Sequence, residues 1–161
     1  MWIGGANPRR AERITMHVRT VVAVAVAFAL AVLSGCSGSP QDMSMGVREA
    51  QSAVGSATLA LTSSQDDDTT GSFAETMVDE AGTRMTAASK QASAFKPTDR
   101  HTAGQLEAVT KALGDADTAV RHASQALSGY PGAPSVRSAL DELKQSSSDL
   151  EQLAKKLEAP R

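Results

Sequence analysis

From Gly104 to Leu127 the chain reads Gly-Gln-Leu-Glu-Ala-Val-Thr-Lys-Ala-Leu-Gly-Asp-Ala-Asp-Thr-Ala-Val-Arg-His-Ala-Ser-Gln-Ala-Leu. Leu106, Val109, Leu113, Ala116, Val120, Ala123 and Leu127 recur at alternating steps of three and four. That spacing lines them along one narrow stripe of an α-helix that must be covered by other helices. Upstream, Thr98 or Asp99 can cap its first turn. Downstream, Gly129-Tyr-Pro-Gly-Ala-Pro134 breaks the chain firmly.

Three further stretches carry the same signature. The preceding one starts at Ser72-Phe-Ala-Glu75, a capping-box pattern, and presents Met77, Ala81, Met85, Ala88, Ala92 and Phe95, with Pro97 beyond its end. The first, from about Ser44 to Ser64, presents Val47, Ala50, Val54, Ala57 and Leu61 and stops in Gln65-Asp-Asp-Asp-Thr-Thr-Gly71. The last presents Val136, Leu140, Leu143, Ser147, Leu150, Leu153 and Leu157. Short connections favour antiparallel neighbours. The fold expected is all-α, an up-down four-helix bundle over residues 47–158; three helices with a loose first one are the alternative. Apolar residues are 41% of the chain and aromatics 3%, so alanine supplies much of the core, which suits close helix packing better than a β-sandwich. Glu80–Arg84, Glu107–Lys111, Asp117–Arg121 and Glu151–Lys155 stand four apart and read as solvated helix faces.

Charge is unevenly placed. Residues 1–35 hold Arg9, Arg10, Arg13 and Arg19 against Glu12, which leaves 12 basic and 17 acidic side chains beyond them, a balance of −5. That balance carries no electrostatic footprint for nucleic acid, and no basic run that would draw a peripheral protein to anionic lipid. A single cysteine excludes an intramolecular disulfide.

The neighbours of that cysteine are informative. After Arg19 come the 13 uncharged residues Val21–Leu33, short of the roughly 20 needed to cross a bilayer but matched to the apolar core of a secretory signal. Leu33-Ser34-Gly35-Cys36 follows at once. An aliphatic residue, two small ones and cysteine resemble the lipobox of bacterial lipoproteins; the resemblance covers about residues 17–37 and leaves the remainder unassigned. It implies a diacylglycerol on the Cys36 sulfur, cleavage between Gly35 and Cys36 by signal peptidase II, and acylation of the new α-amine. Small residues let a peptidase reach the backbone at the membrane surface, and Leu33 stays in lipid. Met16-His17-Val18-Arg19 offers a second, compact start beside Met1, with the same mature protein. The organisation expected is a signal over residues 1–35, a lipidated tether over 36–46, then the bundle. One acyl chain holds a protein marginally and two hold it stably, so a diacylglycerol is an effective anchor to the extracytoplasmic face of the cell membrane.

Several residue groups suggest other chemistry, each with a plainer reading beside it. A di-iron bundle needs inward Glu-x-x-His pairs, and the sequence has none. His101 and His122 lie 21 residues apart on one predicted helix, more than about 30 Å, too far to share a metal. Asp66-Asp67-Asp68-Thr69-Thr70-Gly71 opens like a calcium-binding loop, yet its twelfth position is Met77 where a bidentate glutamate belongs. Met43 and Met45, with Met77 and Met85, read as packing residues ahead of a thioether metal site. No nucleophile stands with a base, and Cys36 is committed to lipid. The expectation is no catalytic residue, metal or cofactor. Gly55, Gly82, Gly104 and Gly114 fall inside predicted helices, where they serve close backbone approach or, with Ser147, line a small cavity. Two functions follow: a tethered module that binds or scaffolds another envelope protein, or a carrier or sensor of a small apolar ligand within the bundle. The first calls for exposed apolar surface, the second for an enclosed pocket.

Overall fold

A computed structural model describes residues 40–66 and 68–159, and four helices account for most of them: α1 Pro40–Gln65, α2 Gly71–Ala94, α3 Arg100–Ser128 and α4 Val136–Glu158. The signal segment and the lipobox residues Leu33, Ser34, Gly35 and Cys36 lie outside the described residues.

Each boundary has a local cause. Pro40 opens α1, where its missing N–H is no loss, and Asp42 sits in the first turn against the positive end of the helix dipole. The start of α2 departs from expectation. Its cap is Thr70, whose carbonyl accepts from the N–H of Phe73 and Ala74, so Ser72 is already inside the first turn and no Ser72–Glu75 capping box forms. A box does form at α3. The Asp99 carboxylate accepts from Thr102 N at 2.8 Å, and Thr102 Oγ1 accepts from Asp99 N at 3.3 Å. Gly129 ends α3 with φ of 62°, the left-handed conformation that glycine adopts without steric cost. Ser135 then caps α4 by accepting from Ser138 N.

Packing confirms an up-down bundle. Gly46 near the start of α1 lies against Ala88 and Ala92 near the end of α2. Arg48 of α1 reaches Glu158 at the end of α4 at 2.5 Å, and His122 of α3 reaches Glu142 of α4. Neighbours therefore run antiparallel, and α4 closes the ring against α1. The cross-section is a rhombus. Across one diagonal α1 and α3 approach within 8 Å between Cα atoms; across the other, α2 and α4 do not.

The core runs along that short diagonal. From α1 it takes Met43, Val47, Ala50, Ala53, Val54, Ala57, Ala60 and Leu61, all at most 1% exposed. Val109, Leu113, Ala116, Ala119, Val120 and Ala123 of α3 are buried in the same core. Alanine at so many of these positions is what lets diagonal helices meet.

Four expectations need correction. Residues 40–46 belong to α1 and not to a tether: Met43 is fully buried, and Met43, Val47 and Ala50 simply extend the stripe toward the N-terminus. Close backbone approach occurs at Gly46, where an added Cβ would stand 3.3 Å from the Ala88 carbonyl oxygen. It does not occur at Gly55, Gly82, Gly104 or Gly114, whose added Cβ would meet nothing within 4 Å. The serine in the α4 seam is Ser146, at 8% exposure, while Ser147 is half-buried beside it. Lys111 pairs forward with Asp115 at 2.6 Å and not back with Glu107.

Candidate functional site

The surface features of the bundle arise from what the stripes leave outside. Val54 and Ala57 of α1 turn inward, so Gly55, Thr58, Leu59 and Thr62 turn toward solvent. With Lys144 and Ser147 of α4 they line an open depression of about 410 Å³. Leu59 is 59% exposed at its wall. The short side chain of Ser147 and the absence of one at Gly55 leave space in the groove.

A second depression, about 600 Å³, lies between α2 and α3 and is lined by Thr86, Ser89, Lys90, Ser93, Ala94 and Asp117. Its lining mixes hydroxyl and alkyl surface, with one charge of each sign. A third, about 350 Å³, is formed by Gln125 and the Tyr130–Ala133 turn, where Tyr130 is 74% exposed. All three open to solvent. Phe73, in the first turn of α2, is also exposed. Leu59, Phe73 and Tyr130 thus lie toward the end of the bundle where α1 finishes and α2 and α4 begin.

The titratable groups are placed as follows. His101 is exposed in the first turn of α3. His122 lies near the other end of that helix, half-buried, with Nδ1 2.5 Å from Glu142 Oε2. These two residues stand symmetrically about Gly132, which is how an antiparallel hairpin brings positions 20 apart in sequence together. Sequence spacing alone did not mark the pair; the turn's centre would have found it. The Asp117–Arg121, Glu80–Arg84 and Glu151–Lys155 pairs form at 3.2, 3.3 and 2.6 Å. A hydrogen bond and the positive charge of Lys155 hold Glu151 below the usual carboxylate range, and Asp115 raises Lys111 in the same way. All are exposed, so water and salt screen them.

Among the described residues no group of three or more His, Cys, Asp or Glu side chains is close enough to hold a metal. Met43 and Met45 stand two apart on α1, which turns them to different faces: Met43 is buried and Met45 is 56% exposed. Asp66 and Asp68 donate their N–H groups to Thr62 and Ser63 carbonyls as α1 unwinds, and Gly71 is already helical. The acidic turn is a helix connection. None of the helices in the described residues is long and apolar enough to cross a membrane. No protein-family model, curated protein or solved structure matches the chain.

Proposed function

We propose that the chain is an exported bacterial lipoprotein, held at the extracytoplasmic face of the cell membrane by diacylglycerol on Cys36. Its bundle acts there as a non-catalytic module that binds or scaffolds another envelope protein. The observation that carries the anchor is the order of its parts: basic residues to Arg19, the apolar run Val21–Leu33, then Leu33-Ser34-Gly35-Cys36. What supports a binding module over a ligand carrier is the surface. The depressions are open, and Leu59, Phe73 and Tyr130 offer apolar area to a partner. Between the helices, where a carrier would hold its ligand, the eight apolar side chains that α1 turns to the core are at most 1% exposed.

Intact mass of the protein from membranes tests the anchor. The expected product begins at Cys36 and carries diacylglycerol, and Cys36→Ala accumulates as an uncleaved, unlipidated precursor. A mature end elsewhere, or an unmodified Cys36, overturns the reading.

A further inference from the structure

The fold sorts charge between its two ends in a way that the linear sequence hides. At the end where α1 begins, the α2–α3 connection brings Lys96 and Arg100, and the last turn of α4 brings Lys155 and Lys156, all exposed. None of the acids in the terminal turns of this end is free: Asp99 caps α3 through Thr102 N, Glu158 is bound to Arg48, and Asp42 also has a partner. Lys155 is itself paired with Glu151, one turn further in, at 2.6 Å. The opposite end carries Asp66, Asp68, Glu75 and Asp141 against Arg137, with Glu142 on His122.

We infer that the Lys96–Arg100–Lys155–Lys156 end rests on the anionic phosphate headgroups of the leaflet that holds the Cys36 lipid; this rests on the anchor reading above. Only Ser37, Gly38 and Ser39 separate Cys36 from the first residue of α1. Four peptide links reach at most about 14 Å. The bundle, at 29 residues in α3, is roughly 43 Å long. The tether therefore keeps the basic end at the bilayer surface, where phosphate oxygens accept from lysine and arginine N–H groups. Charges too few to recruit a protein from solution suffice once the anchor holds them at high local concentration. The acidic end is repelled from the same surface, so both ends favour one orientation. Leu59, Phe73 and Tyr130 then point away from the membrane, toward a partner. Screening limits the attraction to about 8 Å at physiological salt, so the contact weakens as salt rises.

The experiment uses the full lipidated protein in phosphatidylcholine vesicles with or without phosphatidylglycerol. The Cys36 sulfur is spent in its thioether, so Thr98→Cys and Gln65→Cys each provide one thiol for a fluorophore, at opposite ends. With phosphatidylglycerol present, a headgroup-borne quencher is expected to quench the label at 98 several-fold more than the label at 65. That excess shrinks in pure phosphatidylcholine, at high salt, and when Lys96, Arg100, Lys155 and Lys156 are all changed to Gln, with helix content unchanged by circular dichroism. Lipidated protein quenched equally at both ends, or an excess indifferent to anionic lipid and to the four substitutions, overturns the inference. Protein recovered without the diacylglycerol mass overturns the anchor reading and this inference together.

Discussion

The first and last helices of the bundle lie side by side and are nearly matched in length, at 26 and 23 residues, yet they are held very differently. α4 alternates leucines with Asp, Glu and Lys and has the sharper amphipathic pattern. Its buried positions are nevertheless shallow in places: Leu140, Ser146 and Ala154 keep 8% exposure, and Val136, Leu153 and Leu157 are only half-buried. α1 is built of Ala, Ser, Thr, Gly and Val, with weak contrast between its faces. It buries eight apolar side chains almost completely and touches all three other helices. Contrast along a sequence reports how visibly a helix separates leucine from charge. Depth of burial follows from how closely backbones approach, which small residues allow. The helix that the three-helix alternative leaves loose is one of the two on the short diagonal.

The largest test of this difference is truncation of buried leucines. Leu61→Ala in α1 and Leu113→Ala in α3 each truncate a buried leucine, removing transfer energy and leaving a cavity, at a cost of about 2–5 kcal/mol. Leu153→Ala in α4 removes a half-buried side chain and is expected to cost about 1 kcal/mol, and Lys111→Ala on the solvated face close to nothing. Urea melts of the four variants give the order directly. Equal losses at Leu61 and Leu153 would erase the distinction between the helices.

A smaller effect sharpens it. Gly46→Leu forces a side chain against the Ala88 carbonyl, whose oxygen stands 3.3 Å from the position of an added Cβ, and is expected to destabilise by about 1–3 kcal/mol. Gly55→Ala and Gly114→Ala meet open space, so each is expected to stabilise by roughly 0.5–1 kcal/mol through helix propensity. Thermal melts read both signs. A Gly46→Leu variant as stable as the parent would show that α1 and α2 are not in close contact at that position.

The smallest expected effect lies on the outer face of α4. Lys155 lowers the Glu151 pKa from its ordinary value of 4.5 in the folded state. The pair's contribution is therefore present at neutral pH, above the unfolded value, and is lost as pH falls through the lowered folded value. The small stability difference between the parent and Glu151→Gln should accordingly vanish in acid. A difference that persists at low pH would assign it to helix propensity instead of the ion pair.

Legibility followed the physics of each feature. Leu113, Val54 and Leu143 were evident because an apolar stripe at steps of three and four can be buried on one side only. The cap of α3 narrows in sequence to Thr98 or Asp99, because both residue types can accept from a free N–H, and the structure selects Asp99. The Ser72–Glu75 box was misread because the same residue types work equally well one position inside a helix that starts earlier. Residues 40–46 read as a tether because Ser, Gly and Met suggest a linker, although Met43 already stood one step upstream of the stripe. The exposed groove at Leu59 carried no local signal, since its far wall comes from α4.

By itself the sequence determined the four helices, most of each stripe, and the lipobox-like segment Leu33–Cys36, because helical periodicity and short motifs are properties of neighbouring residues; in α2 the buried residue is Val78 where the stripe predicts Met77. Only the tertiary structure decided which diagonal closes, that Gly46 and not Gly55 meets a backbone, that His122 finds Glu142, and that Lys96, Arg100, Lys155 and Lys156 share one end. Those facts join residues far apart in the chain. They are set by how alanine-lined helices pack, which no local pattern encodes.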